Sequence, residues 1–568
     1  MKGNIIVTDE LFKAGRPGES PREIDSVFCA QNDRASFQIL VDSENESCRV
    51  NTGDAPALGL HIGRPVCRIS VHAPFETDTY TEGYLRDANG ISYADILDGQ
   101  PVKDYDGSVF PAVWTDVRIP ENAQPGNYKI TIDAYLSTGA ADETHTAHRE
   151  IALTVYPRAL PTPENYRIYL DLWQHNSNLA RYYGVELWSD GHFEILEKAI
   201  RTLAELGQKS AMILLGDCPW RGWGCYLMPS TPAELYEYSM ARVVRKADGS
   251  FLYDFSAVER YVKLCEKYSI SGDISVYGLL GIWKMPFFPA VKTDLPEQVL
   301  VRYLDERDGC YRYMTNETEF AAYLGAVFSF FKEKGWSDRV LISGDEPSDM
   351  TAYRKSAEFI RKIEPDVRFK LALDHASVIE EFAESLHCCA ASFPCSCNQR
   401  DFLLKFKEEK QGKLLFYVCN IPDKPNTVLK SALFESEFLG VLAYRLGFDG
   451  FLRWAHYCWT VDPRREIRYN DMGLPAGDVC FVYPDKRGGF LLSLRYKALQ
   501  RGIQIFEMLK RLPEETAYRL TEEVLPVSDF SAFMRDDRHT ADGIFPTDPD
   551  IYLRFRKALI AAYSEADS

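Results

Sequence analysis

The chain has 568 residues, 46% hydrophobic and 13% aromatic, which is enough to build a large core without disulfide or metal staples. Sixty-five basic against 83 acidic residues leave a net charge of −18, and no long Lys/Arg run offsets it, so a dedicated nucleic-acid binder is excluded. Fourteen irregularly spaced cysteines are too few for a disulfide scaffold, the N-terminus shows no apolar signal core, and no apolar run reaches 18 residues; the expectation is a cytoplasmic protein with no membrane insertion.

Residues 1–158 are predicted to be a β-sandwich. FQILVDS (37–43), VCRISVHAPF (66–75), YKITIDAYL (128–136) and REIALTVYP (149–157) are β-rich segments separated by Gly, Pro, Asn and Asp. PRALPTPENY (157–166) holds three prolines in seven residues and reads as a stiff domain boundary. From Tyr166 the pattern alternates strand and helix. Strands are expected at 166–173, 209–216, 273–280, 339–345, 367–374, 387–393, 412–419 and 448–459, with helical patterns such as HFEILEKAIRTLAELG (192–207) between them. Eight such units predict a closed (β/α)8 barrel over 165–515, with an open doubly wound sheet as the alternative. The stretch 492–512 supplies the last barrel helix, and 516–568 is expected as a helical extension packed on the barrel.

In a barrel the reactive residues stand at the C-terminal ends of the strands. Those positions hold Asp171, Trp173, Gln174 and His175 after strand one, Asp217 and Trp220 after two, and Trp283 beyond three. Asp345 and Glu346 follow strand four, Asp374 and His375 five, and Tyr417 and Asn420 seven. Arg453, Trp454, His456, Tyr457 and Trp459 surround the end of eight. Carboxylates among Trp and Tyr rings suit a sugar, whose CH faces stack on rings and whose hydroxyls bind carboxylates. The sharpest feature is LISGDEPSD (341–349), where an apolar strand ends in adjacent carboxylates and Pro347 restricts the backbone of Glu346. A helix-entry cap or a solvated acidic turn is the blander account of the same letters. His387, Cys388, Cys389, Cys395 and Cys397 lack a second CxxC knuckle, and Cys388 and Cys389 should face opposite sides of a strand. They are expected to be buried thiols rather than metal ligands. No nucleotide-binding loop or HExxH motif occurs.

Four stretches, DLWQHNSNLARYYG (171–184), SGDEP (343–347), RWAHYCWTVDP (453–463) and GDVCFVYPDKRGGFLLSLRYKALQRGIQIFEML (477–509), together resemble glycoside hydrolase family 123, the β-N-acetylgalactosaminidases. The resemblance implies an exo-acting, retaining hydrolase of terminal β-linked N-acetylgalactosamine, needing no cofactor and no metal. It implies that the substrate's own 2-acetamido oxygen is the nucleophile, as in the hexosaminidases of families 18 and 20. Asp345 would then orient the acetamide nitrogen, and Glu346, with a pKa raised toward neutral, would act as acid and then base. Tyr417 would bond the acetamide oxygen, with Asp171, Trp173, Gln174, His175, Trp283, Asn420, Arg453, Trp454, Tyr457 and Trp459 as substrate contacts. The family's GIED-Y-x-L ending is here GIQIFEML (502–509), on a helix outside the barrel, where a packing consequence is expected. A β-N-acetylglucosaminidase or other β-hexosaminidase, and a non-catalytic carbohydrate-binding protein on a barrel scaffold, are the alternatives.

Overall fold

The structure is a computed structural model that describes residues 1–53, 63–138, 142–220, 235–280, 299–346, 350–382, 384–469 and 473–566. Two sheets form the N-terminal region. One has the strand order Ser26–Gln31, Thr144–Ala159, Gly126–Ser137, Val66–His72, Cys48–Asn51, Val102–Tyr105. The other runs Ile5–Asp9, Asp33–Val41, Ala112–Ile119, Thr77–Arg86, Ser92–Asp98, Gly489–Ser493, Tyr483–Asp485. Alternating residues of both sheets, among them Val7, Ile39, Val113, Ile69, Ile130 and Ile151, meet in a common apolar core.

Eight parallel strands follow, and each is an apolar run because both of its faces are buried. In chain order they are Tyr169–Gln174, Ala211–Leu214, Ile274–Tyr277, Val340–Asp345, Phe369–Leu373, Leu386–Ser392, Lys413–Tyr417 and Gly450–Tyr457. Their spatial order, 1-8-7-6-5-4-3-2, leaves one seam, between strands one and two. A Leu170–Gln208 bridge starts to close it, and two glutamine side chains continue the ladder. Gln208 Oε1 accepts from the Leu172 N–H at 2.9 Å, and Gln174 Oε1 accepts from the Met212 N–H at 2.9 Å. The sheet is therefore a nearly closed barrel rather than an open one.

Side chains alternate along these strands. Tyr169, Trp173, Met212, Leu214, Cys388, Ala390, Leu415, Tyr417 and Leu452 fill the interior, while Cys389 joins the outer layer beneath the helices. Cys388 and Cys389 thus face opposite sides, and Cys388, Cys389, Cys395 and Cys397 are buried free thiols. Loops after strands two and three fold into a small four-stranded sheet, Phe251–Asp254, Arg242–Arg245, Arg302–Asp305, Cys310–Tyr313, which the sequence pattern did not reveal.

The helix Leu494–Leu509 follows the strand Gly489–Ser493, which pairs with Ser92–Asp98 of the N-terminal region. Its basic residues reach into that region: Arg495 to Asp95 at 2.9 Å, Lys497 to Asp116 at 2.6 Å, and Arg501 to Asp33 at 2.8 Å. Every residue of GIQIFEML is buried, and Glu507 receives the N–H groups of Arg167 and Ile168 at the entry to the first barrel strand. The last helix, Pro549–Glu565, ties both parts together through Arg556, which pairs with Glu10 and Glu437. None of the described helices is long and apolar enough to cross a membrane.

Candidate active site

A cavity of about 290 Å³ opens at the C-terminal ends of the barrel strands. Strand four supplies Asp345 and, one residue on, Glu346. Strand five supplies Ala372 and Asp374, strand six Ser392, and strand seven Tyr417, Cys419 and Asn420. Leu452 and Trp454 come from strand eight, and Trp173 from strand one. Trp220, Leu235, Ile421, Leu474 and Asp478 complete the lining from the connecting loops.

The two carboxylates are presented by a distinctive chain path. Gly344 has no side chain, and a Cβ there would meet Leu371 and the Tyr353 ring at 3.0 Å. That gap lets the Tyr353 hydroxyl reach the Asp345 carbonyl at 3.2 Å. Glu346 then adopts φ +36°, in the left-handed region that non-glycine residues seldom occupy. Its N–H is held by the Ala372 carbonyl at 2.9 Å, and its Oε1 accepts the Tyr417 hydroxyl proton. Strain maintained by hydrogen bonds on both sides is characteristic of sites where side-chain direction matters. A plain helix cap requires none of it.

Burial, and after it the negative charges of Glu346 and Asp374, push the Asp345 pKa well above its ordinary 3.8. The pair therefore holds a proton at pH values where isolated carboxylates have lost theirs. Tyr417 is also pushed well up, by burial first and then by the Glu346 charge, so it remains a neutral donor.

An aromatic wall faces these acids. The Trp173 ring lies 5.6 Å from Trp220 and 5.0 Å from Tyr277, and His175 lies edge-on to Trp220 and Trp454 at 5.7 and 5.6 Å. Trp454 is fixed at both ends. Its indole N–H donates to Asp478 Oδ2 at 2.8 Å, and its carbonyl accepts from His175 Nε2 at 2.9 Å. Asp478 Oδ1 also accepts from Arg453 Nη2 at 2.7 Å.

Six residues expected at the substrate thus converge on one cavity: Trp173, Asp345, Glu346, Tyr417, Asn420 and Trp454. Others stand behind it. Asp171 points into the barrel interior and pairs with Lys370, and Gln174 closes the seam. His175 is a buried prop, neutral because burial lowers its pKa to about 4. Arg453 anchors Asp478, the Tyr457 hydroxyl donates to Asn176 at 2.8 Å, and the Trp459 indole donates to the Val482 carbonyl at 2.8 Å. Trp283 lies outside the described residues. Of the strand-end residues without an assigned role, Asp217 is buried and accepts from Tyr236 at 2.9 Å and Ser239 at 2.9 Å, whereas Asp374 and Trp220 do line the cavity. Asp478 was missed because it sits in a loop beyond strand eight; its one sequence signal is the Gly-Asp that opens the stretch 477–509.

A parallel barrel whose rim gathers carboxylates and tryptophans around one cavity has the architecture of a glycosidase. The sequence profile of the glycoside hydrolase 123 catalytic domain matches residues 173–512, well over half of the chain. The chain belongs to glycoside hydrolase family 123. A family 123 glycoside hydrolase from Clostridium perfringens, studied for its hydrolysis of glycolipid glycans, superposes with a TM-score of 0.74 at 15% identity, over 99% of this chain and 98% of that one, and shares its fold. SrfJ from Salmonella typhimurium (TM-score 0.33, 10% identity, 64% and 81% covered) and a chitinase domain from Pyrococcus furiosus (0.26, 11%, 61% and 97%) are more distantly similar. No curated protein matches.

Proposed function

We propose that this glycosidase is a retaining, exo-acting β-N-acetylgalactosaminidase that removes terminal β-linked N-acetylgalactosamine from glycans, glycolipid glycans among them. The observation that carries this reading is the adjacent Asp345–Glu346 pair on the cavity wall, with Tyr417 bonded to the second carboxylate. Adjacent carboxylates from one strand end do not offer the opposed acid and nucleophile of an ordinary retaining site. They suit a substrate that brings its own nucleophile.

In the first step the acetamide carbonyl oxygen attacks C1 as the C1–O bond to the leaving group breaks, and Glu346 protonates the departing glycosidic oxygen. Asp345, as carboxylate, holds the acetamide N–H and stabilises the positive charge that grows on it. The free pair holds its proton tightly; an N–H donor arriving at Asp345 favours the charge there and leaves the proton on Glu346. In the second step Glu346 takes a proton from water, the resulting hydroxide adds to C1, and the oxazoline opens with net retention. Tyr417 changes partner from Glu346 to the acetamide oxygen. Trp173, Trp220 and Trp454 stack on the sugar's CH faces, while Asn420, Asp374 and Asp478 bind hydroxyls. Neither step needs a metal or cofactor. The catalytic unit is 165–515, with 1–158 and 516–568 as supporting domains.

A panel of aryl β-glycosides tests the reading. Turnover should be highest for the N-acetylgalactosaminide and nearly nil for the galactoside, which lacks the acetamide. Preference for the N-acetylglucosaminide would move the assignment to the other hexosaminidase, and absence of turnover on all of them would leave a binding protein.

A further inference from the structure

A second cluster of chemically capable side chains lies in the N-terminal region, on the hairpin formed by Gly126–Ser137 and Thr144–Ala159. His145 and His148 are three residues apart on one strand, so in regular pairing they would point to opposite faces. The register shifts here: Asp133 stands opposite His148, Ala134 opposite Ala147, but Tyr135 opposite His145. Thr146 is the extra residue of a bulge, pinned by its hydroxyl to the carbonyls of Gly3 at 2.9 Å and Ala134 at 3.2 Å. The bulge returns His145 to the face shared by His148 and Asp133.

The result is a convergent set of ligand atoms. Asp133 Oδ1 is 2.8 Å from His145 Nε2 and 2.8 Å from His148 Nδ1, and one ligand atom from each of the three residues lies within 4.8 Å of the others. The far nitrogen of His148, Nε2, is 3.3 Å from Glu150 Oε1. A carboxylate on the outer nitrogen is the arrangement that fixes the tautomer of a metal-bound imidazole and leaves the inner lone pair for the ion. The His145 ring packs on the Tyr135 ring at 5.1 Å, and the Arg68 guanidinium lies over the Tyr135 ring at 4.1 Å.

We propose that Asp133, His145 and His148 form a site for a divalent transition-metal ion, with zinc the best match to two imidazoles and one carboxylate. Bonds of about 2.0–2.1 Å would spread the three atoms by a few tenths of an ångström and displace the protons now between them. Three protein ligands leave a fourth position for water. None of these residues lines the catalytic cavity, so the ion would clip the hairpin at its bulge without entering the reaction.

The test uses the full-length protein, stripped by a chelator and dialysed, and titrated with Co²⁺ by visible absorption and with Zn²⁺ by calorimetry. One ion per chain should bind, with ligand-field bands of nitrogen and oxygen ligation, no thiolate charge-transfer band, and a raised melting temperature. His145→Ala/His148→Ala should abolish both the binding and the melting shift while keeping the circular dichroism and kcat/KM of the stripped wild type. Glu150→Gln should weaken binding about 10- to 100-fold. Equal binding by wild type and the double variant would overturn the proposal. So would the absence of saturable binding, or a thiolate band lost in Cys310→Ser, which removes an exposed cysteine.

Discussion

Glu346 and Asp345 differ in what their loss should do. Glu346→Gln keeps the hydrogen bond from Tyr417 but cannot exchange a proton, so turnover of substrates with poor leaving groups should fall roughly 10²–10⁴-fold. A dinitrophenyl leaving group should restore much of the first step, and azide the second; steady-state kinetics with both substrates checks this. Asp345→Asn should also lose activity, yet gain stability. The folded-state pKa of Asp345 lies above the ordinary 3.8, so its contribution to stability is full below that value and is lost as pH rises through the folded pKa. Asparagine has no charge to bury. The variant's melting temperature should therefore exceed that of wild type at pH 8 and converge with it near pH 4, and a scan in which the difference is flat or reversed would refute the shift. At this scale the sequence was legible where strand-end position alone decides, as for Asp345, Glu346, Trp173 and Tyr417. It misled where side-chain direction decides. Trp173 and Gln174 are neighbours, but a strand sends them to opposite sides, one to the cavity and the other to the seam.

The barrel strands were legible because strands buried on both faces are apolar runs between helical periods. The closing device was not, since glutamine ladders substitute for backbone pairing only once two strand ends are in place. Gln174 Oε1 accepts from Met212 N–H and Tyr261 OH, so Gln174→Leu strands two buried donors. We expect a loss of about 2–4 kcal/mol, from roughly 1–3 for each unsatisfied group with partial relief by relaxation, measured by chemical denaturation. Activity per folded molecule should fall as well, because Trp173 is the next residue on the strand. A variant as stable as wild type would show that the seam does not depend on this side chain. The small sheet built from loops after strands two and three escaped the sequence pattern because its strands are four residues long and pair across a gap of more than fifty residues.

On the scale of the whole molecule, the N-terminal sheets and the barrel share a polar, buried seam, and no residue pattern could have paired Lys497 with Asp116 across 381 positions. Lys497→Met leaves Asp116 buried without its closest cation, and removal of one partner from such a pair costs about 3–5 kcal/mol. The two regions should still unfold in one calorimetric transition, since Arg495, Arg501 and Arg556 continue to join them; two resolved transitions would show independent units. Exhaustive chelation should leave catalysis unchanged, as the proposed ion lies on the sheet hairpin rather than at the cavity. The central claim is that the nucleophile belongs to the substrate. Its most direct test is kcat/KM for aryl β-N-acetylgalactosaminides whose acetamide methyl carries zero, one, two or three fluorines. Each fluorine withdraws electron density from the attacking carbonyl oxygen, so the rate should fall steeply along the series. A rate independent of fluorination would contradict the substrate-assisted route and with it the role assigned to Asp345.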